Sequence, residues 1–159
     1  MQNKQWHMKS KIGPLYLVAS GKALEGIFFT KQNVPMSASL KTSEAETKIL
    51  ARSVQELEEY FSGKRKKFSV TLNAEGTPFQ KRVWRELRKI PYGQTCSYKD
   101  IARRIKNPKA VRAVGSANGK NPHCVVVPCH RVIAADGSIG GYAGGLSMKK
   151  KLLQLEQFR

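Results

Sequence analysis

The sequence predicts an α+β protein in two parts. Residues 1–75 read as a small N-terminal α/β domain of antiparallel strands plus one helix, and residues 76–159 as a mostly helical winged-helix or helix-turn-helix domain. Three observations point there. Short apolar, β-prone runs precede a single helical period in the first half. In the second half two short helical patterns are separated by about three residues, the arithmetic of a helix-turn-helix. Between the halves, Asn73-Ala74-Glu75-Gly76-Thr77-Pro78 is a polar stretch with Gly and Pro that reads as a linker.

Leu15-Tyr16-Leu17-Val18 and Ile27-Phe28-Phe29 are strand candidates, separated by Gly21 and Gly26. Between Ser43 and Gly63, the apolar residues Leu50, Val54, Leu57 and Phe61 step by 4, 3 and 4 and so line one face of a helix. Ser43 is its expected N-cap, Glu46 the capping-box partner and Gly63 the stop. The basic run Lys64 to Lys67 reads as a solvated turn and Phe68 to Leu72 as a short strand.

Pro78 suits a first helical turn, and Val83, Leu87 and Ile90 share a face until Pro91-Tyr92-Gly93 ends the pattern. Ser97-Tyr98-Lys99-Asp100 has the spacing of a capped helix start and leads into Ile101, Ala102 and Ile105. Asn107-Pro108 breaks that helix, and a second is expected from Lys109 to Asn118, closed by Gly119. It carries Ala110, Ala113 and Ala117 on one face, with Val111 and Val114 elsewhere. A bare alanine face suits either helix packing or close approach to another surface. Val125-Val126-Val127 is a buried-strand candidate, and the glycines from Gly137 to Gly145 mark a loop. A last helix is expected from Ser147 to about Phe158, with Met148, Leu152 and Leu155 facing inward.

The chain has 29 Lys and Arg against 11 Asp and Glu, a formal charge of +18, while 40% hydrophobic content suffices for a packed core. The excess is uneven: residues 76–159 hold 17 basic and 4 acidic residues. Such a surface favours an anionic partner, nucleic acid or a membrane surface. No apolar run approaches the roughly 20 residues of a membrane span. The start Met1-Gln2-Asn3-Lys4 lacks a signal-peptide core, and three cysteines, an odd number, fit a reducing compartment. Membrane spans and secretion are thereby disfavoured, and a cytoplasmic protein is expected.

Cys129 is the residue with chemical potential. A cysteine reacts as its thiolate, which a histidine generates or stabilises. His130 is adjacent, but in a regular strand the two side chains would point to opposite faces, so pairing needs a turn or a bridging water. The second half offers only Glu86, Asp100, Asp136 and Glu156 to orient the imidazole. On these residues alone Cys129 is either a nucleophile or a small buried thiol, the reading that suits Cys96 and Cys124. Cys124, Cys129 and His130, even with Cys96 and His123, lack the paired Cys-x2-Cys spacing of structural zinc sites.

Residues 76–159 closely resemble the O6-alkylguanine-DNA alkyltransferases. The likeness rests on Pro128-Cys129-His130-Arg131-Val132-Ile133, preceded by Asn121-Pro122 and followed by Gly141-Tyr142-Ala143-Gly144-Gly145-Leu146. Upstream, Pro91-Tyr92-Gly93-Gln94-Thr95, Ser97-Tyr98 and Asn107 to Gly115 match as well. Residues 1–75 resemble the family's smaller domain only loosely. The resemblance implies a monomer with duplex DNA and no membrane as its partner, and irreversible, stoichiometric transfer of an alkyl group from O6-alkylguanine in that DNA, with O4-alkylthymine a second candidate, to Cys129. It implies His130 acting through a water, Glu156 orienting it, Asn121 bracing the turn, and Tyr98 beside the flipped nucleotide. Tyr142, Ala143 and Val132 would meet the base. Arg112 would fill the space it leaves, while Ala113, Lys99, Asn107 and Tyr98 would meet the DNA. Some relatives bind zinc in the first domain through Cys and His, but residues 1–75 here contain no Cys and only His7, so no metal and no cofactor are expected. Relatives that only sense damage have Trp at the acceptor position, where this chain has Cys129. A winged-helix binding module with a structural Cys129, or a thiol hydrolase using Cys129, His130 and Glu156, are the competing functions.

Overall fold

The computed structural model describes residues 2–157, and its first element is one that apolar alternation does not announce. Strand β1 (Lys4–Ser10) pairs antiparallel with β2 (Gly13–Ala19), which pairs antiparallel with β3 (Leu24–Phe28). β1 buries Gln5 as well as Met8. The Gln5 amide nitrogen donates to the Gln32 carbonyl at 2.6 Å, and its amide oxygen accepts from the Gln32 N–H at 3.1 Å. Its backbone binds Pro35 and Ser37, so a polar residue in a core position fixes the connection after β3 to the sheet edge.

Helix α1 (Ala45–Phe61) packs across β1 and β2 and buries Leu50, Val54, Leu57 and Phe61, the face its periodicity marks. Its N-terminus differs from expectation. Glu44 is the N-cap, no side chain caps the first turn, and Ser43 and Glu46 form no capping box. Glu44 instead pairs with Lys4. Gly63, at φ 82°, closes the other end by donating its N–H to Tyr60 at 3.0 Å.

Residues 68–72 are not a strand. The buried Glu56 carboxylate accepts from the Ser69 N–H (2.9 Å), the Val70 N–H (3.1 Å) and the Ser69 hydroxyl (2.6 Å), which takes the backbone donors a strand would use. A single bridge, Leu24 to Leu72, is all that remains. The preceding basic turn is also less free than its charge implies, because Arg65 binds Glu59 at 2.9 Å and the Lys67 carbonyl at 2.8 Å.

The chain divides into two compact units, Met1–Ala74 and Glu75–Arg159. In the second, α2 (Pro78–Leu87), α3 (Tyr98–Arg104) and α4 (Val111–Gly119) pack on one another. Thr77 and Gln80 close a capping box on α2, and Ser97 and Asp100 close one on α3. β4 (Cys96–Ser97) pairs parallel with β5 (Val132–Ile133). α4 starts two residues later than the spacing suggests, with Ala110 as its cap. Its alanine face is divided: Ala117 is buried and its carbonyl accepts the Trp84 indole N–H at 2.8 Å, whereas Ala113 is exposed.

Val125 to Val127 form a turn rather than a strand. α5 (Leu146–Gln157) buries Lys149, Leu152 and Glu156, while Met148 and Leu155 are only half-buried. The expected end of that helix at Phe158 lies outside the described residues.

Glu56→Ala should therefore destabilise the first unit by about 3 kcal/mol, since it strands two backbone donors and a hydroxyl in the interior. Urea unfolding followed by far-ultraviolet circular dichroism checks this. A change below about 0.5 kcal/mol would mean that water satisfies those groups instead.

Candidate active site

The site is built on the irregular segment from Asn121 to Arg131. The Asn121 side chain bridges it: its amide nitrogen donates to the Val127 carbonyl at 2.8 Å and its oxygen accepts from the His123 N–H at 3.0 Å. Backbone bonds from Val126 to Cys124 (2.9 Å), Val127 to His123 (2.9 Å) and Cys129 to Val127 (2.8 Å) complete the coil. Val125 sits at φ 74°, where a β-branched residue is strained, and these bonds hold it there. The segment ends in one 3-10 turn, Cys129–Arg131, braced by a 3.4 Å bond from the Asn118 amide to the Cys129 carbonyl. That is the turn which adjacent Cys and His residues need if both are to serve one site.

Cys129 is buried, and burial pushes its thiol up to about 11, against a hydrogen bond with the Asn121 side chain and the positive charge of Lys149. Lys149 is fully buried as well. Its ammonium donates to the carbonyls of Val132 (2.7 Å) and Gly141 (3.0 Å) and lies 6.0 Å from the centre of the Tyr98 ring. Burial lowers the Lys149 pKa, while the charge of a Cys129 thiolate opposes that shift. Burial, and then the neighbouring Cys129, raise the Tyr98 phenol, with a backbone hydrogen bond at Gly141 acting the other way. Gly140, at φ 72°, is required here because a Cβ would come within 2.9 Å of the Tyr98 hydroxyl.

Behind the thiol is a second cluster. His130 Nε2 lies 2.7 Å from a Glu156 oxygen, and Arg131 binds the same carboxylate at 2.8 and 3.0 Å. All three side chains are buried. A third Arg131 bond, 2.7 Å to the Ile90 carbonyl, ties the cluster to the segment after α2. Burial alone would raise the Glu156 pKa, but the bonds from His130 and Arg131 hold it well below the usual carboxylate range. Burial lowers the His130 pKa despite Glu156, so the ring is neutral at neutral pH. An ionised carboxylate only accepts, so Nε2 carries the proton and donates it, and Nδ1 keeps its lone pair, with no hydrogen-bond partner among the described residues. This ring is therefore a base with its accepting nitrogen free.

Asn121, Tyr98 and Cys129 come together in one cluster, and His130 and Glu156 in the other. Val132 is fully buried and its carbonyl is engaged by Lys149. Tyr142 is half-buried with its hydroxyl against the Cys124 thiol, and Ala143 is exposed in a turn closed by a 3.0 Å bond from Gly145 to Tyr142. Lys99, Asn107, Arg112 and Ala113 are exposed on α3, the following turn and α4, not at the thiol. Sequence reasoning misses Lys149, Arg131 and Asn118. Lys149 is legible in hindsight, being at i−3 from Leu152 and i−7 from Glu156, but the run Lys149-Lys150-Lys151 disguises it as a solvated face. Among the described residues no group of three or more His, Cys, Asp or Glu side chains is placed to hold a metal ion.

Two family descriptions match the chain: the ribonuclease-like domain of 6-O-methylguanine DNA methyltransferase over residues 6–74, and the DNA binding domain of the same protein over residues 78–158. The sequence is 48% identical over 151 residues to the methylated-DNA–protein-cysteine methyltransferase of Methanosarcina mazei, covering 94% of both chains. It is 41% identical over 152 residues to the constitutive enzyme of that name from Bacillus subtilis, covering 94% and 92%. The fold is similar to the crystal structure of Mycobacterium tuberculosis OGT in complex with DNA, with a TM-score of 0.85 and 40% identity over 99% of this chain and 94% of that one.

The His130–Glu156 cluster makes stability below neutral pH depend on pH with a definite sign. Groups whose folded pKa lies below the unfolded value contribute stability above the unfolded pKa and lose it as pH falls. His130, depressed from 6.5, and Glu156, depressed from 4.5, both act in that sense. The urea midpoint should be level near about pH 7.5, decline as pH falls through 6.5, and drop more steeply below 4.5, while the raised Cys129 thiol makes it decline again as pH rises past 9. Glu156→Gln should shrink the lower step, to which Glu56 also contributes, and, by leaving Arg131 uncompensated, cost about 3 kcal/mol at neutral pH. A midpoint flat from about pH 7.5 to 5 would contradict a neutral His130.

Proposed function

Because the chain belongs to the 6-O-methylguanine DNA methyltransferase family, we propose that it repairs duplex DNA by moving an alkyl group from the O6 of guanine onto Cys129, once per molecule. O4-alkylthymine is a second candidate substrate. The observation that carries the assignment is a buried thiol flanked by Asn121, Lys149 and Tyr98 beside a neutral, carboxylate-oriented histidine.

The reaction balances without a cofactor. The thiol proton leaves through a water to His130 Nδ1, and the resulting imidazolium is stabilised by Glu156. The Cys129 sulfur attacks the alkyl carbon, an S–C bond forms, and the C–O6 bond breaks with its electron pair passing into the guanine. The guanine takes up one proton from the Tyr98 hydroxyl, and the proton held at His130 returns to the phenolate through solvent, so that the one lost at sulfur matches the one gained by the base. Lys149 and Asn121 favour the thiolate during attack. The product is a thioether, which no group in the site reverses, so one chain repairs one lesion.

A base stacked in a duplex does not reach a buried thiol. It must leave the helix, at a cost of a few kcal/mol. Arg112 is exposed on α4 and takes the vacated space, and Lys99 and Asn107 hold flanking phosphates. The outward residues Ala113, Ser116 and Gly119 are small, which lets α4 enter a minor groove only about 6 Å wide. Tyr142, the Ala143 backbone and Val132 line the pocket for the flipped base. The protein acts as a cytoplasmic monomer on duplex DNA. Among the described residues no helix is long and apolar enough to cross a membrane.

Incubation with a duplex carrying O6-methylguanine should raise the intact mass by about one methylene at Cys129, and Cys129→Ala should show no gain. Tight binding without an adduct would leave only a damage-binding module. Arg112→Ala should slow repair of the duplex by about 10-fold or more while leaving reaction with free O6-benzylguanine near the wild-type rate, because only the duplex requires extrusion. Equal losses on both substrates would refute the space-filling role.

A further inference from the structure

The second unit carries another concentration of positive charge away from the thiol. A groove of about 270 Å³ is lined by Arg82, Arg85, Glu86 and Lys89, and by Arg104, Ile105 and Lys106. All five basic residues are exposed. The single carboxylate, Glu86, is bound to Lys89 at 3.2 Å. Two of the guanidinium groups are held in place: Arg82 donates to the Ile105 carbonyl and Arg104 contacts the Cys96 thiol. Each spends few of its five donors on those bonds and keeps the rest for a ligand. Lys106 stands at φ 62° in the turn after α3, a conformation that glycine or asparagine adopts more easily.

Resting on the assignment of duplex DNA as the substrate, we infer that this groove binds the phosphodiester backbone flanking the segment held by α4. Like charges gathered around one depression repel one another and gain when an anion enters. The lining distinguishes among anions. Its one aliphatic residue, Ile105, is buried, so the groove offers no apolar anchor of the kind that dominates protein interfaces. Cations spread over two helices and a turn suit a repeating polyanion instead. Position supports a flanking role. Lys99 and Arg104 stand at opposite ends of α3, about 8 Å apart along its axis, so the groove lengthens the phosphate track that begins at Lys99.

The test uses the full chain with Arg85→Gln, Lys89→Gln and Lys106→Gln combined, and a control with Lys22→Gln, Lys31→Gln and Lys41→Gln on the first unit. Binding is measured against salt on undamaged duplexes of about one and about three helical turns. Each phosphate neutralised contributes about 0.9 to the log–log slope. The groove variant should lose about 2 to 3 from the slope on the long duplex, and far less on the short one. The control should match wild type on both, and reaction with free O6-benzylguanine should be unchanged in both variants. An unchanged slope on the long duplex overturns the inference. An equal loss on both duplexes overturns it too, placing the groove inside the central contact. Loss of poly-glutamate binding with the DNA slope intact marks an acidic protein as the occupant, which is a third refutation. A wild-type protein that neither binds duplex nor accepts a methyl group would instead refute the DNA assignment itself.

Discussion

The carboxylate of Glu156 is shut away from water and held by both His130 and Arg131, and the geometry around the thiol depends on that arrangement. Three segments meet at it: α5, which supplies the glutamate; the 3-10 turn, which supplies the histidine and arginine; and the chain after α2, whose Ile90 carbonyl holds the far side of the guanidinium. Buried ion clusters gain little net stability, because desolvation offsets attraction. What this one contributes is orientation. With Arg131 supplying the full positive charge, His130 has no need to ionise, and one of its nitrogens is left as a base.

The thiol shows the opposite balance. Burial makes Cys129 a weaker acid, and nothing nearby outweighs it. At neutral pH the sulfur therefore keeps its proton until an acceptor is in line, which suits a protein with one reaction to make. Lys149 narrows the gap without closing it, and its own burial is tolerated because two carbonyls accept its protons. The strained backbone at Val125 belongs to the same design, since the coil held by Asn121 delivers Cys129 to a place that a regular strand would miss.

Features decided by neighbours in sequence are legible without the structure. Ser97 and Asp100 cap α3 because both partners lie within one turn, and Leu50, Val54, Leu57 and Phe61 mark the buried face of α1 by spacing alone. The helix-turn-helix and the Cys129-His130-Glu156 set are likewise visible, the last through resemblance. Legibility fails where a side chain distant in sequence decides the backbone. Glu56 captures the donors of Ser69 and Val70, and Asn121 coils three valines that composition alone would extend. It also fails where a polar residue takes a core position. Gln5 hides β1 and Lys149 hides the inner face of α5, because hydrophobic patterning has no means of registering either.

The bonds at Gln5 have one more consequence. A three-stranded sheet has two open edges, and an open edge is a template on which a second chain can add a strand. Here β1 spends its outward bonds at Gln5 on Pro35 and Ser37, and β3 spends those at Leu24 on Thr71 and Asn73. Each border is occupied near the start of its strand by irregular stretches of the same polypeptide. For a strongly basic protein crowded along a polyanion, this matters: copies brought close together meet edges shortened at one end, on which less of a ladder can form.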